Sequence, residues 1–105
     1  MPDILKIYSV ENNIKTATLV IDESTLGLDK FSYLKDVVSK ELESGINSFS
    51  FDMKDLNTIN SSGLGILISC LKKINESGGS LTIINPNEKI KSVFKLTKLD
   101  KVFEI

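Results

Sequence analysis

Asn60-Ser61-Ser62-Gly63-Leu64-Gly65 lies where the chain changes its period. Before it, Ile46 to Met53 alternates, with Phe49 and Phe51 on one side and Ser48 and Ser50 on the other. That is period two, a half-buried strand. After it, Leu64, Leu67, Ile68, Leu71 and Ile74 recur at helical spacing, with Ile66 and Cys70 as further apolar positions beside them. The spacing predicts a helix from about Ser62 to about Ser77, stopped by Gly78-Gly79. Its first half is apolar almost all round, so it should be buried against a sheet. A strand, a polar crossing and a buried helix make the first half of a parallel β-α-β unit.

The same reading extends outward in both directions. Upstream, Leu5 and Ile7 alternate with Lys6 and Tyr8, and Glu11-Asn12-Asn13 signals a turn. Ala17, Leu19 and Ile21 then alternate with Thr16, Thr18 and Val20, which completes an N-terminal hairpin. Asp22 to Asp29 reads as loop. Phe31, Leu34, Val38 and Leu42 then mark a helix with Asp29 as its cap and Gly45 as its stop, while Lys35, Lys40 and Glu41 fall elsewhere on the wheel. Downstream, Leu81-Thr82-Ile83-Ile84 is a fourth strand. Asn85-Pro86-Asn87 opens a third helix with Ile90, Val93, Phe94 and Thr97 inward and Leu99 closing the patch. Val102 to Ile105 is expected as a last short strand. The fold class is therefore α/β: a mixed sheet of four to five strands with an N-terminal hairpin and helices packed on it. Residues 1–105 are expected to form a single domain.

Composition narrows the chemistry. The 105 residues are 41 % hydrophobic and 26 % charged with a net charge of −1, a balance that offers no basic stripe for nucleic acid. There is no His, no Trp and one Cys. Without His the usual base for a nucleophilic serine is missing, and Ser-Ser-Gly-Leu-Gly is not the Gly-x-Ser-x-Gly elbow. Asp52 and Asp55 are loop residues too ordinary to argue for a metal, and no phosphate-binding loop motif is present. Cys70, inside an apolar run, reads as a small buried hydrophobe. No catalytic residue, metal or cofactor is expected. No apolar run approaches a membrane span and no signal peptide is read, so the expected location is the cytoplasm.

What remains is the Asn-Ser-Ser-Gly-Leu-Gly segment itself. Asn60, Ser61 and Ser62 are all favoured helix caps, and one cap is all a helix needs. Gly63 and Gly65 in a first turn each cost up to about 1 kcal/mol relative to Ala. They serve either close packing against the sheet or access to the neighbouring hydroxyls. A phosphate on a serine here would add about −1.5 to −2 charges where the helix dipole favours anions. The fold should tolerate the mark, and a partner docked over it should not.

These residues resemble a known signature. Phe51-Asp52-Met53, Leu56 and Ile59 through Leu67, with the tail Leu96 to Ile105, resemble the STAS domain of bacterial anti-sigma factor antagonists. The resemblance implies a protein that binds an anti-sigma factor with serine kinase activity and is released when that kinase phosphorylates it. A PP2C-type phosphatase would reset it. The serine before the first glycine of the motif maps onto Ser62, with Ser61 as second choice. The implied partner contacts are Asn60, Ser61, Ser62, Gly63, Leu64 and Gly65. The family usually carries Asp where this chain has Asn60. Its Gly-x-Leu/Ile-Asp loop is replaced by Ser24-Thr25-Leu26-Gly27, with Asp29 nearby. Two other roles open to such domains are a non-switching scaffold, in a stressosome-like or lipid-transport ATPase assembly, and nucleotide binding at the same helix start.

Overall fold

Four strands pair in the order β1-β2-β3-β4 in a computed structural model that describes residues 4–26 and 33–103. Strand β1 (Lys6–Glu11) runs antiparallel to β2 (Ile14–Val20), in register from Lys6 opposite Leu19 to Glu11 opposite Ile14. The two-residue loop between them has Asn12 and Asn13 at φ 54° and 68°. Positive φ at both loop positions matches the twist of a tight hairpin, and asparagine tolerates it better than most residues. Strand β3 (Ser48–Asp52) pairs parallel to β2, and β4 (Ser80–Ile84) parallel to β3. Parallel neighbours require crossovers, here α1 (Tyr33–Glu43) and α2 (Ser61–Glu76), and α3 (Glu88–Leu96) follows β4.

One face of the sheet is continuously apolar. Ala17, Leu19, Phe49, Phe51, Leu81 and Ile83 lie on that face and are buried. They join Leu34 and Val38 of α1, Leu67 and Ile74 of α2, and Ile90 and Phe94 of α3 in one core. The opposite face carries Thr16, Thr18, Ser48, Ser50, Ser80 and Thr82, small polar side chains at half-buried or exposed positions. Glu41 departs from its expected place. It is buried, accepting the Tyr8 hydroxyl at 2.7 Å with Lys6 at 3.9 Å, and so ties α1 to β1. A buried carboxylate needs such partners, and β1 supplies them from more than 30 residues away.

Three other expectations change. In α2 the inward positions are Leu64, Ile66, Leu67, Cys70, Leu71 and Ile74, whereas Ile68 is 41 % exposed. A helix apolar on nearly every side leaves its orientation to packing rather than to its own pattern. Thr97 faces solvent, with its hydroxyl donating to the Val93 carbonyl at 2.8 Å. Val102 and Phe103 lie in a turn rather than a fifth strand; Phe103 is buried there by its ring contact with Phe94, centroids 5.3 Å apart. Glu104 and Ile105, the Asp29 cap, Gly27 and Phe31 lie outside the described residues. The loop expected from Asp22 contains a short 3-10 turn, Glu23–Leu26.

Candidate functional site

The start of α2 is built by the crossing that leads from β3. Asp52, at the end of β3, is buried and accepts from the Lys54 amide at 3.0 Å and from the Asn85 side chain at 3.1 Å. That fixes the turn out of the sheet against the turn out of β4. Leu56 and Ile59 are buried and anchor the crossing from below. Two side chains hold it from outside. Glu23 accepts from the Asn57 amide at 3.0 Å, and Asn87 donates to the Leu56 and Asn57 carbonyls at 3.2 and 2.9 Å. The segment is irregular but anchored at both ends, so the helix start it delivers has a fixed position.

Asn60 is the cap. Its backbone is extended, its side-chain oxygen accepts from the Gly63 amide at 2.8 Å, and its carbonyl accepts from Leu64 at 3.0 Å. The side-chain bond satisfies one otherwise orphaned first-turn donor, and the Leu64 bond is the first of the helix's own ladder. The helix therefore begins at Ser61, one residue earlier than the spacing predicts. With the cap supplied by Asn60, neither serine hydroxyl is needed for it. Ser61 is exposed and Ser62 half-buried, and neither side chain has a hydrogen-bond partner among the described residues. The first turn contains no acidic residue.

The two glycines separate. Gly63 is buried, and a Cβ on it would meet Ile59 Cγ1 at 3.0 Å, so its missing side chain serves packing. A Cβ on Gly65 would find nothing within 4 Å, and Gly65 is half-buried. Its missing side chain serves no packing purpose within the chain. Leu64 belongs to the core at 7 % exposure. Of the six expected contact residues, Gly63 and Leu64 thus form the floor, and Asn60, Ser61, Ser62 and Gly65 form the reachable surface.

Beside this surface lies an open cleft of about 220 Å³, lined by Glu23, Leu26, Thr58, Ile59, Asn60 and others. The sequence reading did not find Glu23, Thr58 or Asn87. Glu23 and Asn87 act through pairing across 30 residues or more, Thr58 lines the cleft, and no local pattern reports either. No group of His, Cys, Asp and Glu suited to a metal occurs among the described residues. Cys70 is fully buried, and burial pushes its thiol up to about 12 while the Lys35 charge pulls the other way. A thiol so placed is protonated and unreactive at neutral pH.

The fold has known counterparts. SpoIIAA in its unphosphorylated form, an anti-sigma factor antagonist, superposes with a TM-score of 0.62 over 96 % of this chain and 100 % of that one. At 15 % identity the likeness is one of fold: a four-stranded mixed α/β domain with an N-terminal hairpin. The chain belongs to the STAS domain family, whose pattern matches residues 9–105. A Thermotoga maritima protein named, provisionally, as an anti-sigma factor antagonist is 36 % identical over 73 residues. That match covers 70 % of this chain and 65 % of the relative's own length. The NMR structure of the protein TM1081 has a TM-score of 0.79 and 30 % identity, covering 93 % of this chain and 77 % of that one.

Proposed function

We propose that this chain is an anti-sigma factor antagonist that docks through the start of α2 and is switched by phosphorylation of Ser62. The observation that carries the reading is the pair of unpartnered hydroxyls at a capped, acid-free helix start, beside a glycine with open space over it. Membership in the STAS family and the name of the Thermotoga maritima relative support the class of partner. In this reading the unphosphorylated surface binds an anti-sigma factor that is also a serine kinase. The sigma factor is then freed. Transfer of a phosphoryl group to the Ser62 oxygen puts bulk and negative charge at the centre of the docking surface, and a PP2C-type phosphatase removes it. The fold itself survives the mark, because the dipole and free amides of the first turn favour an anion.

Ser62 is preferred over Ser61 by its position before the first glycine of the motif, although Ser61 is the more exposed. Asn60 keeps the cap but brings no carboxylate to that position. Glu23, in the adjoining cleft, is an acidic side chain beside that surface.

The test is incubation with ATP and the candidate kinase encoded beside this gene, followed by mass spectrometric mapping. Phosphate should appear on Ser62 and be lost in Ser62→Ala. Ser62→Asp should bind that kinase at least tenfold more weakly, about 1.4 kcal/mol. A phosphate that persists on Ser62→Ala would move the site to Ser61. Undiminished binding by Ser62→Asp would end the switch reading.

A further inference from the structure

The free edge of β1 combines exposed apolar side chains with unused main-chain groups. Leu5, Ile7, Tyr8 and Val10 are 58, 46, 45 and 69 % exposed. Native edge strands are usually blunted by proline, a bulge or inward-pointing charge. Strand β1 has no proline and pairs with β2 without interruption from Lys6 to Glu11; its one charge on the core side, Lys6, is paired with Glu41 at 3.9 Å. The other edge, β4, is different: it buries Leu81 and Ile83 and shows Ser80 and Thr82.

The phase of the hairpin says which peptide groups are free. Its two-residue loop closes on the Glu11–Ile14 pair, and the Leu5 carbonyl accepts from Val20 at 3.0 Å. An antiparallel ladder alternates bonded and non-bonded pairs. The odd-numbered residues of β1 therefore bond to β2, and the N–H and C=O of Lys6, Tyr8 and Val10 point outward. No backbone hydrogen bond from outside the hairpin reaches these three among the described residues.

These groups are self-complementary. A two-fold axis perpendicular to the sheet at Tyr8 sets Tyr8 opposite Tyr8 of a second copy, and Lys6 opposite Val10. Each of those three pairs can exchange two main-chain bonds, so every outward donor and acceptor is used. A slip of one residue would set outward groups against none and mismatch the faces of the sheet. In the centred register no like charges face each other: Ile7 meets Ser9 and Leu5 meets Glu11. The Tyr8 ring is already held by Glu41 at 2.7 Å and by Lys15, 4.9 Å from its centroid, so pairing need not order it.

We infer that two copies of this chain associate through β1, antiparallel and centred on Tyr8, joining their four-stranded sheets into one. Strand β1 lies two strands from β3, which leads into the docking site, so that site stays open in both copies. The edge strip alone covers less than the roughly 1,200 Å² of a stable interface. Association is therefore weak, with a dissociation constant on the order of 0.1 mM.

The test is analytical ultracentrifugation and amide hydrogen exchange over a ~100-fold dilution from ~1 mM. The expected mass rises from 11.6 kDa toward its double at the upper end. Exchange at Lys6, Tyr8 and Val10 should slow with concentration, while Ile7, Ser9 and Glu11 should not change. Val10→Pro removes one outward donor without touching the ladder to β2, and Val10→Lys places a charge on the strip. Both variants should stay monomeric at ~1 mM with unaltered α2 amide resonances. A wild-type monomer throughout, a dimer without the alternating protection, or undiminished association of both variants would overturn the inference.

Discussion

Helices α2 and α3 both begin on an asparagine, and the two caps are nearly superimposable in kind. Asn60 accepts from Gly63 at 2.8 Å and Asn87 from Ile90 at 2.9 Å, each from an extended backbone and each three residues on. The residues after each cap differ. Helix α3 continues with Glu88 in its first turn, paired to Lys91 at 3.5 Å, an ordinary complement to the helix dipole. Helix α2 continues with two serines, no acid and two glycines. Since α3 shows what a capped start requires, the serines and Gly65 of α2 are surplus to helix formation. Chemistry that is surplus to folding is where function is most economically sought.

The caps also differ in what else they hold, and removing them should break the symmetry. Asn87 caps α3 and donates to both the Leu56 and Asn57 carbonyls, whereas Asn60 serves its own helix; both side chains are exposed. A lost cap costs about 1 kcal/mol and each lost hydrogen bond about 0.5–1.5 kcal/mol. Asn87→Ala should therefore lower stability by about 2–4 kcal/mol in urea denaturation. It should also loosen the crossing that leads into α2, seen as faster amide exchange at Asn57 and Thr58. If Asn87→Ala costs no more than Asn60→Ala, its bonds to the crossing contribute nothing.

Within α2 itself a sealed nucleophile sits two turns from the reachable ones. Cys70 is fully buried with its thiol pushed up to about 12 from an ordinary 9.0, burial being the larger cause. A raised folded-state value means the stability it contributes is complete below pH 9 and is lost as pH rises toward 12. In that window the unfolded thiol ionises and the folded one cannot, at about 1.4 kcal/mol per pH unit. At pH 10.5 the wild type should be about 2 kcal/mol less stable than at pH 9 from this source. Cys70→Ala should be less stable at pH 8 but flatter above pH 9. An equally steep alkaline fall in Cys70→Ala would assign the loss to other groups. Tyr8 is one of these: its hydrogen bond to Glu41 raises its value, so its contribution is also lost at high pH.

Asn60→Ala should cost about 1 kcal/mol, the ordinary worth of a cap. Asn60→Asp should leave stability within about 0.5 kcal/mol, since Asp caps as well as Asn. It adds a carboxylate without removing the cap, so its effect on phosphorylation by a candidate kinase isolates the charge from the cap. Equal phosphorylation rates for Asn60→Asp and wild type would show that the kinase does not read the residue before the serine pair.

Much of this was legible in advance, and the gaps have physical causes. Period two at Ala17-Leu19 and Phe49-Phe51, and the abrupt change at Asn60, were enough to place the hairpin, the crossovers and the candidate site. The facing of α2 was not, because Ile66, Ile68 and Cys70 are equally apolar and only the packed neighbours choose among them. Phe103 reads as a strand residue locally, but Phe94 captures its ring in a turn. The supports from Glu23 and Asn87 are contacts across 30 residues or more outside the regular strands, and irregular segments carry no period. The division of labour between Gly63 and Gly65 was also hidden, since it depends on where Ile59 places its side chain.

That division gives the finest test of the comparison between the two helix starts. If Gly65 is surplus to folding, Gly65→Ala should raise stability, because alanine is the better helix former by up to about 1 kcal/mol and its Cβ meets nothing within 4 Å. Gly63→Ala should gain less or nothing, because Ile59 must move aside for a Cβ at 3.0 Å. Kinase binding should run the other way. The methyl group of Gly65→Ala projects into the space a partner would occupy, so affinity should fall several-fold while the melting temperature rises by a few degrees. A variant that gains in both stability and affinity would mean the space over Gly65 is not used for docking. The glycine would then need another reason. A variant that loses stability would mean the open space is not open, and the distinction between the two glycines would fall with it.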